Sequence, residues 1–118
     1  MSMKLYDLCG RNSAIRFSPY CWRAKMALKH KGLEFEAVPT PYADIGKIGD
    51  SIKSVPVLDD GGRLVSDSFD IAVYLDAAYP ETPALFGHDG LVAAARLVDE
   101  MATLWYRALY AADPVPID

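Results

Sequence analysis

The chain has 118 residues, 16 acidic and 12 basic, for a formal charge of −4. Apolar residues make up 52% and charged residues 24%, a globular balance that excludes a disordered chain. A pI near 5.0 argues against nucleic acid as the main partner, no run reads as a membrane span or secretory leader, and two cysteines cannot frame a disulfide scaffold, so a soluble cytoplasmic protein is expected.

Residues 4–9 read as a strand in which Leu5 and Leu8 break strict alternation, which suits burial on both faces. A loop follows over 10–17. Ser18-Pro19 is a helix-start signal, because serine caps well and proline fits the first helical position. The helix is expected over 19–31, with Gly32 as its stop and Lys29, His30 and Lys31 meeting the negative end of its dipole. Cys21, Ala24, Ala27 and Leu28 share one face at spacings of three or four, marking its buried side.

Residues 34–38 form a second strand candidate, which Pro39 and Pro41 should end. Residues 42–54 are weakly patterned and read as a loop with a short helical turn. Residues 55–59 and 63–65 read as a hairpin around Asp60-Gly61-Gly62. A helix over 68–79 presents Phe69, Ala72, Val73 and Leu75 as its apolar stripe, with Asp67 and Ser68 suited to its start and Pro80 to its end. The order β-α-β-β-β-α opens with a βαβ unit, so its two strands should be parallel. A mixed four-stranded sheet with helices on both faces satisfies that order. Residues 80–90 read as a linker. A long helix over 91–112 follows, with Leu97, Met101, Leu104 and Trp105 on its apolar side and Asp113-Pro114 as its stop.

Three places could carry chemistry. Ser18-Pro19-Tyr20-Cys21 stands at a helix N-terminus, where unpaired backbone N–H groups and the dipole favour a negative charge. A cysteine thiolate in the first position would be stabilised, but serine stands there. Its hydroxyl can donate to a thiolate brought by a ligand, or it can be a plain cap. Cys21, one turn on, reads as a small buried hydrophobe. Val55-Pro56-Val57 places a proline where a strand should begin. X-Pro bonds in folded proteins are mostly trans, but a distorted entry would leave the Val55 backbone free to pair with an extended peptide. Ser66-Asp67-Ser68 combines a helix start, a hydroxyl and a carboxylate, a set that suits an amino-acid zwitterion as well as a capping box. Cys9 reads as core, Trp22 and Met26 as packing residues, and His30 and His88 as unrelated positions. No metal-like spacing occurs, so no metal site is expected.

In order and spacing, Ser18-Pro19-Tyr20-Cys21-Trp22, Ala27-Leu28-Lys29-His30-Lys31-Gly32, Val55-Pro56-Val57-Leu58 and Asp67-Ser68 through Tyr74-Leu75-Asp76 resemble the N-terminal domain of glutathione S-transferases. The resemblance covers about residues 3–88, and its first motif looks most like the bacterial branch that includes the β-aryl ether-cleaving enzymes. It implies a thioredoxin-like α/β fold over 1–80, a linker over 81–90, and the first helix of an all-α domain over 91–118. It also implies a glutathione site. Ser18 would activate the thiol, and Val55 ahead of a cis Pro56 would pair with the cysteinyl main chain. Asp67 and Ser68 would hold the γ-glutamyl end, and Lys53 lies near the position that meets the glycyl carboxylate. Glutathione would be the cosubstrate and a small hydrophobic, aromatic electrophile the second reactant, in a homodimer. Because family members continue with further helices, the chain looks like part of a longer enzyme. Two other readings of the same fold are a glutaredoxin-like thiol reductase using Cys21 and a glutathione-binding scaffold without turnover.

Overall fold

The computed structural model describes residues 3–86 and 89–112. Eight elements follow in chain order: β1 (Met3–Leu8), α1 (Pro19–His30), β2 (Phe35–Thr40), a 3₁₀ turn (Tyr42–Lys47), β3 (Val57–Asp60), β4 (Arg63–Ser66), α2 (Ser68–Ala78) and α3 (Asp89–Ala112). They form two compact units, Met1–Leu85 and Phe86–Asp118.

The first unit is built on a four-stranded sheet of order β2-β1-β3-β4. β1 and β2 are parallel, Leu5 opposite Ala37, as a βαβ unit requires. β3 runs antiparallel to both β1 and β4, with Leu5 opposite Leu58 and Leu58 opposite Val65. β1 is therefore central, which explains why Met3, Leu5, Asp7 and Leu8 are all buried. The hairpin turns at Gly61 and Gly62, whose φ values of 62° and 100° are positions that a side chain disfavours.

Met3 and Leu5 of β1 and Leu58 of β3 share one cluster with Ala24, Ala27 and Leu28 of α1 and Ile71 and Leu75 of α2. Both helices thus lie on one face of β1 and β3, not one on each face as the element order alone allowed. Leu5, Leu28, Leu58 and Leu75 are fully buried. Each contributes about 1.5–3 kcal/mol through burial.

Element ends depart from the sequence reading for identifiable reasons. β2 continues through Pro39, which pairs with Asp7, to Thr40. Proline is tolerated there because β2 is an edge strand, where a missing N–H breaks no ladder. β3 starts at Val57, two residues late, directly after the cis Val55-Pro56 peptide. α1 ends with Leu33 N–H donating to Leu28 O and Gly32 N–H to Lys29 O, a Schellman closure with Gly32 at φ 72°. Lys31 does more than face the dipole: it is buried, and its Nζ lies 2.7 Å from Asp76 Oδ1.

The second unit contains α3, which begins at Asp89. Leu97, Met101 and Leu104 recur at spacings of four and three and are exposed. His88, the Asp113-Pro114 stop and the side chain of Trp105 lie outside the described residues. Among the described residues, no helix is long and apolar enough to cross a membrane.

Candidate functional site

The sheet register gathers three segments at one end of the first unit. Tyr6 of β1 is opposite Val57, and Val57 is opposite Ser66. Val55 therefore lies beyond Tyr6 on the side of Leu8, and Asp67 and Ser68 follow directly from Ser66. Leu8 shares a cluster with Cys21 and Ile45, against which Phe17, Ile52 and Val55 are packed. The C-terminal end of β1, the start of α1, the entry to β3 and the start of α2 thus share one end of the sheet.

Ser18 caps α1 with φ −74° and ψ 120°, and its Oγ accepts the Cys21 N–H at 3.3 Å. It is buried. The cap uses an acceptor position of the hydroxyl, which as a donor also favours the ionised form of the neighbouring Cys21; its hydrogen is free to rotate. That hydrogen can be donated to an anion at the helix N-terminus.

Cys21 is in the opposite condition. It is fully buried, and its Sγ lies 3.5 Å from the Leu8 N–H, which donates to it. Burial, above all, pushes the thiol above its usual range, and the charge and hydrogen bonding of Asp7 add to this, against the lowering effects of Leu8 and Ser18. A nucleophilic thiol needs exposure and a depressed pKa. Cys21 has neither, which removes the structural basis for a reductase built on it.

Val55 is half-buried, and its backbone makes no hydrogen bond with a described residue. Pro56, next to it, is buried. Asp67 is the N-cap of α2, its Oδ2 accepting from Phe69 N–H at 3.1 Å and Asp70 N–H at 3.2 Å. It holds φ 72°, a left-handed conformation unusual for a residue with a side chain. Ser68 is buried, while Lys53 is exposed and pairs with no described residue.

The sequence reading missed a buried charge cluster beside this site. Asp7 is fully buried, and its Oδ2 lies 2.8 Å from Arg16 and 2.7 Å from Lys25. A signal was available: Lys25 lies on the apolar stripe of α1, four residues after Cys21 and three before Leu28. Trp22 and Met26, read as packing residues, are instead 45% and 63% exposed. They flank the buried stripe of α1 on its outward side, and the Lys25 ammonium sits 3.6 Å from the Trp22 ring centroid.

Comparison with known proteins adds the context. Glutathione S-transferase Z1 of Arabidopsis thaliana is 40% identical over 70 residues, covering 53% of this chain and 31% of that protein. Glutathione transferase GSTFuA3 of Phanerochaete chrysosporium superposes with a TM-score of 0.75 at 26% identity, covering 86% of this chain and 47% of the other. Rice GST1, solved in complex with glutathione, superposes with a TM-score of 0.63 at 30% identity, covering 89% of this chain and 46% of the other. The chain thus spans about half the length of these solved relatives, and the sheet and its helices are the thioredoxin-like fold of glutathione transferases. The family described as "Glutathione S-transferase, N-terminal domain" matches residues 13–83, more than half of the sequence, and the chain belongs to that family.

Proposed function

We propose that this chain is the glutathione-binding part of a glutathione transferase, with Ser18 as the residue that stabilises the thiolate. The observation that carries the reading is the Ser18 hydroxyl, a rotatable donor set as the N-cap of α1. On this reading the glutathione sulfur lies at the helix end, and the Ser18 O–H donates to it. The hydrogen bond and the dipole lower the thiol pKa, so a larger fraction ionises at neutral pH. The thiolate then forms a C–S bond to an electrophilic carbon, whose leaving group departs with the electron pair.

The remaining contacts complete the same reading. The unpaired backbone of Val55 pairs with the cysteinyl main chain by strand addition. Asp67 and Ser68 receive the γ-glutamyl group, the carboxylate of Asp67 facing its ammonium and the start of α2 its carboxylate. Lys53, exposed and unpaired among the described residues, is the cation for the glycyl carboxylate. The electrophile is small, apolar and aromatic, and cleavage of a β-aryl ether is one such reaction. The support for that branch is the run Ser18-Pro19-Tyr20-Cys21-Trp22. A homodimer in the cytoplasm completes the proposal.

The test is the ultraviolet titration of the thiol of bound glutathione, in the protein and in Ser18→Ala. We expect the bound thiol to ionise well below free glutathione, and Ser18→Ala to raise its pKa by about one unit, the worth of one charge-assisted hydrogen bond. An unchanged value in Ser18→Ala removes Ser18 from the mechanism.

A further inference from the structure

We infer that Lys25 is a positioning residue for this site: its buried ammonium, held on Asp7 beside Arg16, supplies a surplus positive charge under the N-terminus of α1 that favours an anion there. The inference rests on the reading of Ser18 given above and adds a second source of thiolate stabilisation.

The cluster is assembled from three segments. β1 puts Asp7 on the same face as Met3 and Leu5, toward α1, with no exposure. α1 contributes Lys25, whose side chain is 9% exposed. Side chains on a helix lean toward its N-terminus, and Lys25 does so across the Trp22 ring, its Nζ ending 2.7 Å from Asp7 Oδ2. The loop before α1 contributes Arg16, two residues ahead of Ser18, with Nη1 2.8 Å from the same oxygen. Arg16 is fastened at two further points. Its Nε donates to Ser13 O at 2.7 Å, and its own carbonyl accepts from Trp22 Nε1 at 3.0 Å.

Two cations on one carboxylate leave one net positive charge. Asp7 with Arg16 alone would be neutral and well paired, so Lys25 is electrostatically in excess. Burying that excess costs desolvation energy, and the cost is offset where an anion binds nearby. Among the described residues, the groups packed around Cys21 and Asp7 do not supply one. Cys21, the other titratable group facing Asp7 from α1, has its neutral thiol form favoured, and Phe17, Ile45 and Val55, packed around Cys21, bring no charge. The free Oδ1 of Asp7 belongs to the carboxylate already counted. Lys25 is seven residues from Ser18, roughly 10 Å along the axis before its side chain leans back. At that distance and an effective dielectric of about 25 to 50, one charge moves a thiol pKa by about half to one unit.

The experiment titrates the thiol of bound glutathione in the protein, in Lys25→Met and in Lys25→Arg. Met keeps the aliphatic stem on Trp22 and leaves Asp7 paired with Arg16, so K25M should fold, as thermal unfolding will register. We expect K25M to raise the bound-thiol pKa by about half to one unit and K25R to stay near the starting value. Binding of S-methylglutathione, which has no ionisable thiol, should change by less than about twofold in both variants. Arg16→Gln removes the other cation, should shift the pKa in the same direction, and decides the question if K25M does not fold. A bound-thiol pKa that ignores K25M, or one that K25R shifts as far as K25M, overturns the role of Lys25 and leaves that of Ser18 standing. Absence of any saturable thiolate signal in the unaltered protein overturns both.

Discussion

Two side chains one helical turn apart, Ser18 and Cys21, have opposite fates because of where α1 starts. Ser18 is the last residue before the helix, so its hydroxyl meets the unpaired N–H groups. Cys21 is on the first inward-facing position and is sealed among Leu8, Ile45 and their neighbours. With its thiol pushed upward chiefly by burial, Cys21 should resist alkylation by iodoacetamide at neutral pH in the folded protein. It should react at the rate of an ordinary thiol in denaturant. Mass spectrometry of the labelled peptide checks this, and rapid native labelling at Cys21 would contradict the burial argument. Ser18 was legible in sequence through Ser-Pro alone. Asp7 was not, because an aspartate in a short strand gives no hint of which loop residue and which helix residue will meet it.

At the scale of elements, the two helix starts are capped in different ways. α1 uses serine and a proline at its first position, while α2 uses Asp67 held at φ 72°. The cap contributes about 0.5–2 kcal/mol, and the left-handed backbone costs a residue with a Cβ about 1–2 kcal/mol. Asp67→Ala loses the first and keeps the second, so it should lower stability by about 1–2 kcal/mol. Asp67→Gly loses the cap but relieves the backbone, and should remain within about 0.5 kcal/mol of the unaltered protein. Urea midpoints at constant m-value measure both. The edge strand β2 teaches a related lesson. Two prolines read as a stop, yet only the position of β2 in the sheet determined that Pro39 could stay within it.

At the scale of the whole first unit, Asp60 at the end of β3 ties the sheet to the far end of α2. Tyr74 donates to its Oδ2 at 2.6 Å, and Tyr79 reaches both of its oxygens at 3.0 and 2.9 Å. Burial, then Asp60, pushes the Tyr79 phenol up to about 12, and Asp60 raises Tyr74 as well. For an acid whose folded pKa is raised, the neutral form is favoured in the fold. The contribution is therefore complete below the unfolded value near 10 and is lost as pH rises toward about 12. Stability should fall over that window, and Tyr79→Phe should flatten the fall while lowering stability at neutral pH. Chemical unfolding followed from pH 9 to 12 measures it, and an equal alkaline slope in the variant would show that Tyr79 does not contribute.

Local periodicity, turn residues and caps specify the element types, the parallel βαβ opening, the hairpin and the two capped helix starts, all of which are legible along the chain. The family followed from the order of those motifs. The packing of the chain settles that α1 and α2 share one face of the sheet, that β3 starts after a cis Val55-Pro56, and that Arg16 and Lys25 converge on Asp7. The reason is physical. Local signals extend over a few residues, whereas a buried carboxylate is satisfied by whichever cations the packed strand, loop and helix bring to it.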